Sequence, residues 1–330
     1  MYKLEDIKSI HLEVTSKCQA RCPMCPRRVH GGPLLSGLDL EEIDLETFKK
    51  WFNDDFIRQL GHLMMCGNLG DPIIAKDTLA IFQHLRTVNP DIILHMHTNG
   101  SARSKDWWEA LAKTGVEVTF GIDGMEDTHH LYRVDTDWNK IIENAKAFIA
   151  AGGSAQWHML VFEHNEHQVH LCQQVSKALG FKTFSSKHTT RFKNGKFDVV
   201  DENYKITHTL YPSKKSSDMI IPAKMAQEES LPTITCKAKE ENQLYVSATG
   251  YVTPCCWLDL EWLPDFSDSK IDYKIKINQS PNLHNMSFKE IFDSGYFNKI
   301  KSCWTSNGLR ECSKQCGSFD KLKEQFKNES

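Results

Sequence analysis

From residue 8 to about 185, short apolar runs alternate with longer amphipathic segments. The apolar runs are "SIHLEV", "GHLMMCG", "DIILHMHT", "VEVTFGID", "QWHMLVF" and "FKTFSS". Between them lie "DLETFKKWFNDDFIRQL", "KDTLAIFQHLRTV", "SKDWWEALAKTG", "DWNKIIENAKAFIAAGG" and "NEHQVHLCQQVSKALG", each with apolar residues at helical spacing. Asp44 and Ser104 stand where N-caps are wanted, and Gly115, Gly152 and Gly180 close helices. Strands alternating with helices predict βα units and a parallel sheet, either a partial barrel or a doubly wound sheet. Both designs carry their functional loops at the C-terminal ends of the strands.

The rhythm stops after residue 185. Residues 186–235 are polar, lysine-rich and weakly periodic, and read as a connecting segment that wraps the body. "NQLYVSATGYVTPCC" predicts a hairpin turning at Thr249 and Gly250. "SFKEIFDSGYFNKIKS" predicts a helix with Ser287 and Glu290 as its capping box, and "DKLKEQFKNES" a charged, fraying tail. The expected domains are therefore 1–185, a connecting segment 186–235, and 236–330.

A net charge of −3 gives no attraction to nucleic acid or to an anionic membrane. No apolar stretch is long enough to cross a bilayer, and "MYKLEDIKSIHLEV" lacks a secretory h-region, so a cytoplasmic protein is expected. Eleven cysteines in a reducing compartment favour metal binding or catalysis over a disulfide framework. Three lie at positions 18 to 25 and six from 236 onward, with Cys66 and Cys172 alone between them as buried small hydrophobes.

"EVTSKCQARCPMCPR" places Cys18, Cys22 and Cys25 directly after the first strand, on the functional face. A closed zinc site takes four ligands, and ferredoxin runs carry four cysteines per set. Here the local set stops at three, with only His30 near enough to complete a short loop. An iron–sulfur cube on three thiolates keeps one iron open to a small molecule. The competing reading is a zinc knuckle or incidental core thiols.

The spacing Cys-x3-Cys-x2-Cys after the first strand of a βα array resembles the radical S-adenosylmethionine (SAM) enzymes. The resemblance implies a partial (β/α)6 TIM-type barrel, with a [4Fe–4S] cluster on Cys18, Cys22 and Cys25 whose open iron chelates SAM. In that family an electron from the cluster cleaves SAM to methionine and a 5′-deoxyadenosyl radical, which takes hydrogen from substrate. The same resemblance makes Gly70, Asp71 and Pro72 in "CGNLGDPII" the loop that receives the SAM amino group, with Leu69 and Asp71 departing from the family's Gly and Glu. Thr98 and Asn99 in "HTNG" line the site or form a plain turn. Asp123 in "GIDG" becomes the candidate for the SAM ribose, since a carboxylate accepts from vicinal hydroxyls. Arg133 meets the SAM carboxylate or an acidic neighbour, and Gln156 and His158 share one strand face.

The later cysteines resemble the SPASM/twitch extensions of these enzymes, which hold auxiliary iron–sulfur clusters. Ser306 occupies the place of a second-block cysteine and no cysteine follows Cys316, so the one-cluster twitch form fits. Its implied ligands are Cys236, Cys255, Cys312 and Cys316, with Cys256 and Cys303 in reserve; a four-cysteine zinc site is the alternative. The expected cofactors are two [4Fe–4S] clusters and SAM. The expected partners are a peptide or small-molecule substrate and an electron donor such as flavodoxin or ferredoxin. The first strand begins near residue 8, so no peptide-recognition domain is expected ahead of it. An auxiliary cluster that accepts an electron favours dehydrogenation or cross-linking. A non-catalytic zinc or iron–sulfur protein is the competing class.

Overall fold

A computed structural model describes residues 2–192, 195–219, 233–259, 281–304 and 309–318. Residues 220–232 of the expected connecting segment, Ser306 and the charged tail lie outside the described residues. The chain forms two compact units, Leu12–Ile221 and Met1–His11 with Pro222–Ser330.

In the first unit, β2 (His62–Met65), β3 (Ile93–Thr98), β4 (Glu117–Gly121), β5 (Ser154–Val161) and β6 (Thr183–His188) follow one another in sequence order; of β1 (Ser9–Leu12) only Leu12 belongs to this unit. Every pair from β2 to β6 is parallel. Leu12, the last residue of β1, accepts from the Cys66 amide at 3.3 Å. The strand residues alternate. Leu63, Met65, Leu94, Met96, Val118, Phe120, Trp157 and Met159 are buried. Phe120 stacks near Trp108 and Phe148 from the helices Lys105–Ala112 and Trp138–Ala150, at 5.2 and 6.3 Å. The opposite face carries His62, His95, His97, Glu117, Gln156, His158, Ser185 and Lys187, none of them fully buried. A doubly wound sheet is apolar on both faces because helices cover both. One polar face identifies the partial barrel, with that face as its interior.

The helix caps follow the sequence. Asp44 accepts from the Thr47 amide at 2.7 Å and Ser104 from that of Trp107 at 3.4 Å. Gly115, Gly152 and Gly180 all take positive φ, where a β-carbon is strained. The segment 44–60, expected as one helix, is two: Leu45–Trp51 and Asp54–Gln59. Asn53 starts the second by accepting from the Phe56 amide at 2.9 Å, a capping bond that competes with helical continuation.

Residues 186–219 do more than connect. β7 (Phe197–Val200) and β8 (Ile206–Leu210) pair antiparallel. Val199, Phe192 and Leu210 pack with Ala20, Cys22, Tyr132 and Phe162 into one buried apolar cluster.

In the second unit, the amides of Lys8 and Ser9 donate to the Asn242 carbonyl. β9 (Thr233–Ile234) pairs later in the chain. β10 (Gln243–Val246) and β11 (Val252–Thr253) make the expected hairpin, with Gly250 at φ +84° in its turn. The predicted helix from Ser287 splits into Phe288–Asp293 and Tyr296–Ser302, because Gly295 at φ +76° breaks the backbone between them. Ser287 and Glu290 form the capping box. The helix Arg310–Cys316 then leads into β12 (Gly317–Ser318), which pairs antiparallel with β9. Among the described residues no helix is long and apolar enough to cross a membrane.

Candidate metal centres

All eleven cysteines are free thiols. Cys18, Cys22 and Cys25 sit on the loop after β1, which is anchored by a buried arginine. Arg27 donates through Nε to the Ser16 carbonyl at 3.1 Å and through Nη1 to the Cys18 carbonyl at 3.0 Å. The Ser16 hydroxyl donates to the Asp39 carbonyl at 2.6 Å, and the Cys25 amide to the Cys22 carbonyl at 3.0 Å. The thiols are close enough to disfavour one another's ionisation. Burial, then the Asp71 charge and Cys22, raises the pKa of Cys18; burial and Cys22 push Cys25 up to about 11. Cys22 is raised by burial, against the pull of Arg133. Such thiols are protonated at neutral pH and lose their protons on binding metal.

The loops after β2, β3 and β4 converge on these sulfurs. Gly70 has no room for a side chain, since a β-carbon there would lie 1.7 Å from the Thr15 carbonyl oxygen. Glu13, fully buried, accepts from the amides of Leu69 and Gly70 at 2.6 and 2.8 Å and ties this loop to the cysteine loop. Asp71 is also buried. It accepts from the Thr98 hydroxyl at 2.7 Å and from the Asn99 amide and side chain at 2.7 and 2.6 Å. The Asn99 amide group in turn lies 3.8 Å from the Cys18 sulfur and its oxygen accepts from Gln19 at 2.8 Å. Asp71 therefore meets Thr98 and Asn99, not open space. Pro72 follows it, buried, with its carbonyl accepting from Thr78 at 2.5 Å.

Asp123 has no exposed surface. Its carboxylate accepts from Arg133 Nε and the Leu160 amide, both at 2.6 Å. It faces Arg133 and the backbone of β5. Arg133 takes the acidic neighbour that its sequence allowed, and its Nη1 lies 3.8 Å from the Cys22 sulfur. Burial works against its charge, but Asp123 and Cys22 keep the guanidinium pKa raised. Gly121 makes the space: a β-carbon there would stand 2.6 Å from Arg133 Nη2. His129 supports this loop by accepting the Asp123 amide on Nδ1 at 3.1 Å, with Nε2 3.0 Å from the Thr136 hydroxyl. His30 is turned to β7, stacked 4.5 Å from Phe197. Gln156 bonds Glu117, and His158 bonds the Ser185 hydroxyl at 2.9 Å.

The second unit gathers four other thiols. Cys236, Cys255, Cys312 and Cys316 line one cavity, partly open to solvent, with Ile234, Trp304, Glu311 and Gln315. Cys312 and Cys316, four apart, share one face of their helix. The β9–β12 pairing and the Thr235 amide bond to the Cys316 carbonyl (3.1 Å) bring Cys236 beside them. Burial pushes Cys255 up to about 12, with Cys236 and Cys316 adding to it. Cys256 and Cys303 are not among the lining residues. Among the described residues no three His, Cys, Asp or Glu side chains stand close enough to share a single ion. Thiols spread around a cavity suit separate irons of a cube.

Sequence reading named Asn99 but missed Glu13 and Arg27. Arg27 stands two residues after the last cysteine of the motif, which was a usable signal; Glu13 acts through a partner 56 positions away.

The sequence model of the radical SAM superfamily matches residues 12–174, and that of the SPASM iron–sulfur cluster-binding domain matches residues 236–317. No curated protein matches the chain in sequence. Solved structures share its fold. Streptococcus suis SuiB bound to S-adenosylmethionine is 14% identical at a TM-score of 0.60, covering 94% of this chain and 71% of SuiB. His-tagged anSMEcpe with bound AdoMet is 15% identical at 0.56, covering 97% and 91%. SuiB bound to the precursor peptide SuiA is 11% identical at 0.53, covering 90% and 67%.

Proposed function

Because the chain belongs to the radical SAM superfamily and carries a SPASM iron–sulfur domain, we propose that it oxidatively modifies a peptide or small polar molecule by hydrogen abstraction. Its cofactors are SAM and two [4Fe–4S] clusters. When bound, these groups supply the electron that cleaves SAM, the 5′-deoxyadenosyl radical that takes hydrogen, and an acceptor for the substrate's electron.

The observation that carries this reading is the convergence of Cys18, Cys22 and Cys25 with Asn99 and Arg133 at the strand ends. Three thiolates would hold a cube here and supply one ligand fewer than it has irons. Asn99 and Arg133 direct N–H groups at two of the sulfurs. Asp71 and Thr98 fix Asn99 in that position, and Asp123 fixes Arg133. The guanidinium retains donors beyond its bonds to Asp123 and Cys22, and these suit the SAM carboxylate. Gly70 lets the second-strand loop lie against the cysteine loop, where the Asp71 amide donates to the Lys17 carbonyl at 3.0 Å. The apolar wall of Tyr132, Phe162, Val199 and Leu210 keeps water from the cluster side of the loop. Cys236, Cys255, Cys312 and Cys316 would hold the second cube, one thiolate for each iron.

The substrate enters the polar barrel face, where His97, His158, Ser185 and Lys187 offer hydrogen-bonding partners. That lining, and the peptide held by SuiB, support a peptide or similarly polar substrate. A cytoplasmic flavodoxin or ferredoxin supplies the electron.

The test is anaerobic incubation of reconstituted protein with reductant and SAM. Wild type should release 5′-deoxyadenosine, and Cys22→Ala should not. Cys255→Ala should still cleave SAM while failing to convert substrate. Zinc without acid-labile sulfide in the purified protein would end the enzyme reading.

A further inference from the structure

Trp304 follows the helix Tyr296–Ser302 and its ring lines the cavity of the four thiols. Its indole N–H is buried and has no acceptor among the described residues. Three other indoles find acceptors: Trp108 donates to the Ala102 carbonyl at 3.0 Å, Trp138 to Gly124 at 3.2 Å and Trp157 to Ile122 at 2.8 Å. Tryptophan is a donor only, and a buried donor left unmade costs about 1–3 kcal/mol. The polar groups sharing the cavity wall do not relieve it. Glu311 and Gln315 bond each other at 3.4 Å. Neither side chain takes the indole N–H, and a cube on these thiolates would bring anionic sulfur to the same walls.

We propose that the indole N–H of Trp304 donates a hydrogen bond to a sulfur of the auxiliary cluster and so raises that cluster's reduction potential. The inference rests on the reading of the cavity as a cluster site. A donor aimed at anionic sulfur stabilises the reduced, more negative cluster over the oxidised one. Trp304 is thus a positioning residue for electron transfer: it makes the cluster a better acceptor of the substrate's electron.

The test uses full-length protein reconstituted anaerobically in a Cys18→Ala, Cys22→Ala, Cys25→Ala background, so that a single cluster is read. Trp304→Phe should keep about four iron per chain. Its midpoint potential, from a redox titration followed by electron paramagnetic resonance, should be more negative by an amount worth about tenfold in the reduced-to-oxidised ratio, or about 59 mV for one electron. After exchange into D2O, electron–nuclear double resonance of the reduced cluster should show a deuteron coupling that Trp304→Phe lacks. A benzothienylalanine at position 304 keeps the ring's shape and replaces the N–H with sulfur; it should reproduce the shift. An unchanged potential in that variant overturns the proposal, even if Trp304→Phe loses iron because the ring is only structural. Absence of iron from the background protein overturns it differently, by removing the auxiliary cluster itself.

Discussion

Asp71 shows how one carboxylate can organise a site it does not expose. Three donors from Thr98 and Asn99 end on it, and it has no exposed role to lose. Asp71→Asn turns one acceptor into a donor facing donors. Unfolding should become easier by about 2 kcal/mol, and SAM cleavage should fall while iron content holds; chemical denaturation and iron analysis check the two halves. His129 makes a second case. Burial pulls its pKa down to about 3, with Arg133 and His130 adding to the effect, so the fold holds it neutral. An unfolded histidine protonates near 6.5. Stability from this group is therefore present above about 6.5 and is lost as pH falls toward 3, at up to about 1.4 kcal/mol per unit. Compared with wild type, His129→Gln should have an unfolding free energy that depends less on pH between 7 and 5.5. Equal slopes would mean that this imidazole titrates as freely in the fold as outside it.

Periodicity and caps are local properties, so strands and helices were legible at the level of elements. Asp44, Ser104 and Ser287 cap where their residue types prescribe. The breaks at Asn53 and Gly295 were visible as residues but lost inside longer apolar patterns. Residues 197–210 were harder. Their strands are short and polar, and their apolar members find partners only in the cysteine loop and near Tyr132. The same limit holds for Asp123, whose partner amide on Leu160 lies 37 positions away. This hairpin has a testable task. Val199→Ser puts a hydroxyl into the apolar wall beside Cys22, and the catalytic cluster should bleach faster in air than in wild type. Identical decay of the visible absorbance would assign the wall to folding alone.

For the molecule as a whole, two separate thiol sets predict two separable clusters. Reconstituted chain should carry about eight iron, and replacement of Cys18, Cys22 and Cys25 by Ala should leave about four. Complete loss would mean that Cys236, Cys255, Cys312 and Cys316 hold no cluster of their own. Stripping iron should also loosen the unit they tie together, because a site made from distant segments contributes its binding energy to folding. Limited proteolysis of stripped and loaded chain should then differ after residue 233, with little change in 12–192.

The pairing of β9 with β12 has a consequence for how the protein is made. Cys18, Cys22 and Cys25 leave the ribosome almost together, whereas Cys236 waits for a partner strand that begins at Gly317. One cube can therefore be delivered to a nascent chain, but the other only to a chain translated through its last cysteine. A cell starved of iron during synthesis would accumulate protein in which the late site, assembled from both ends of an eighty-residue span, is the one left immature.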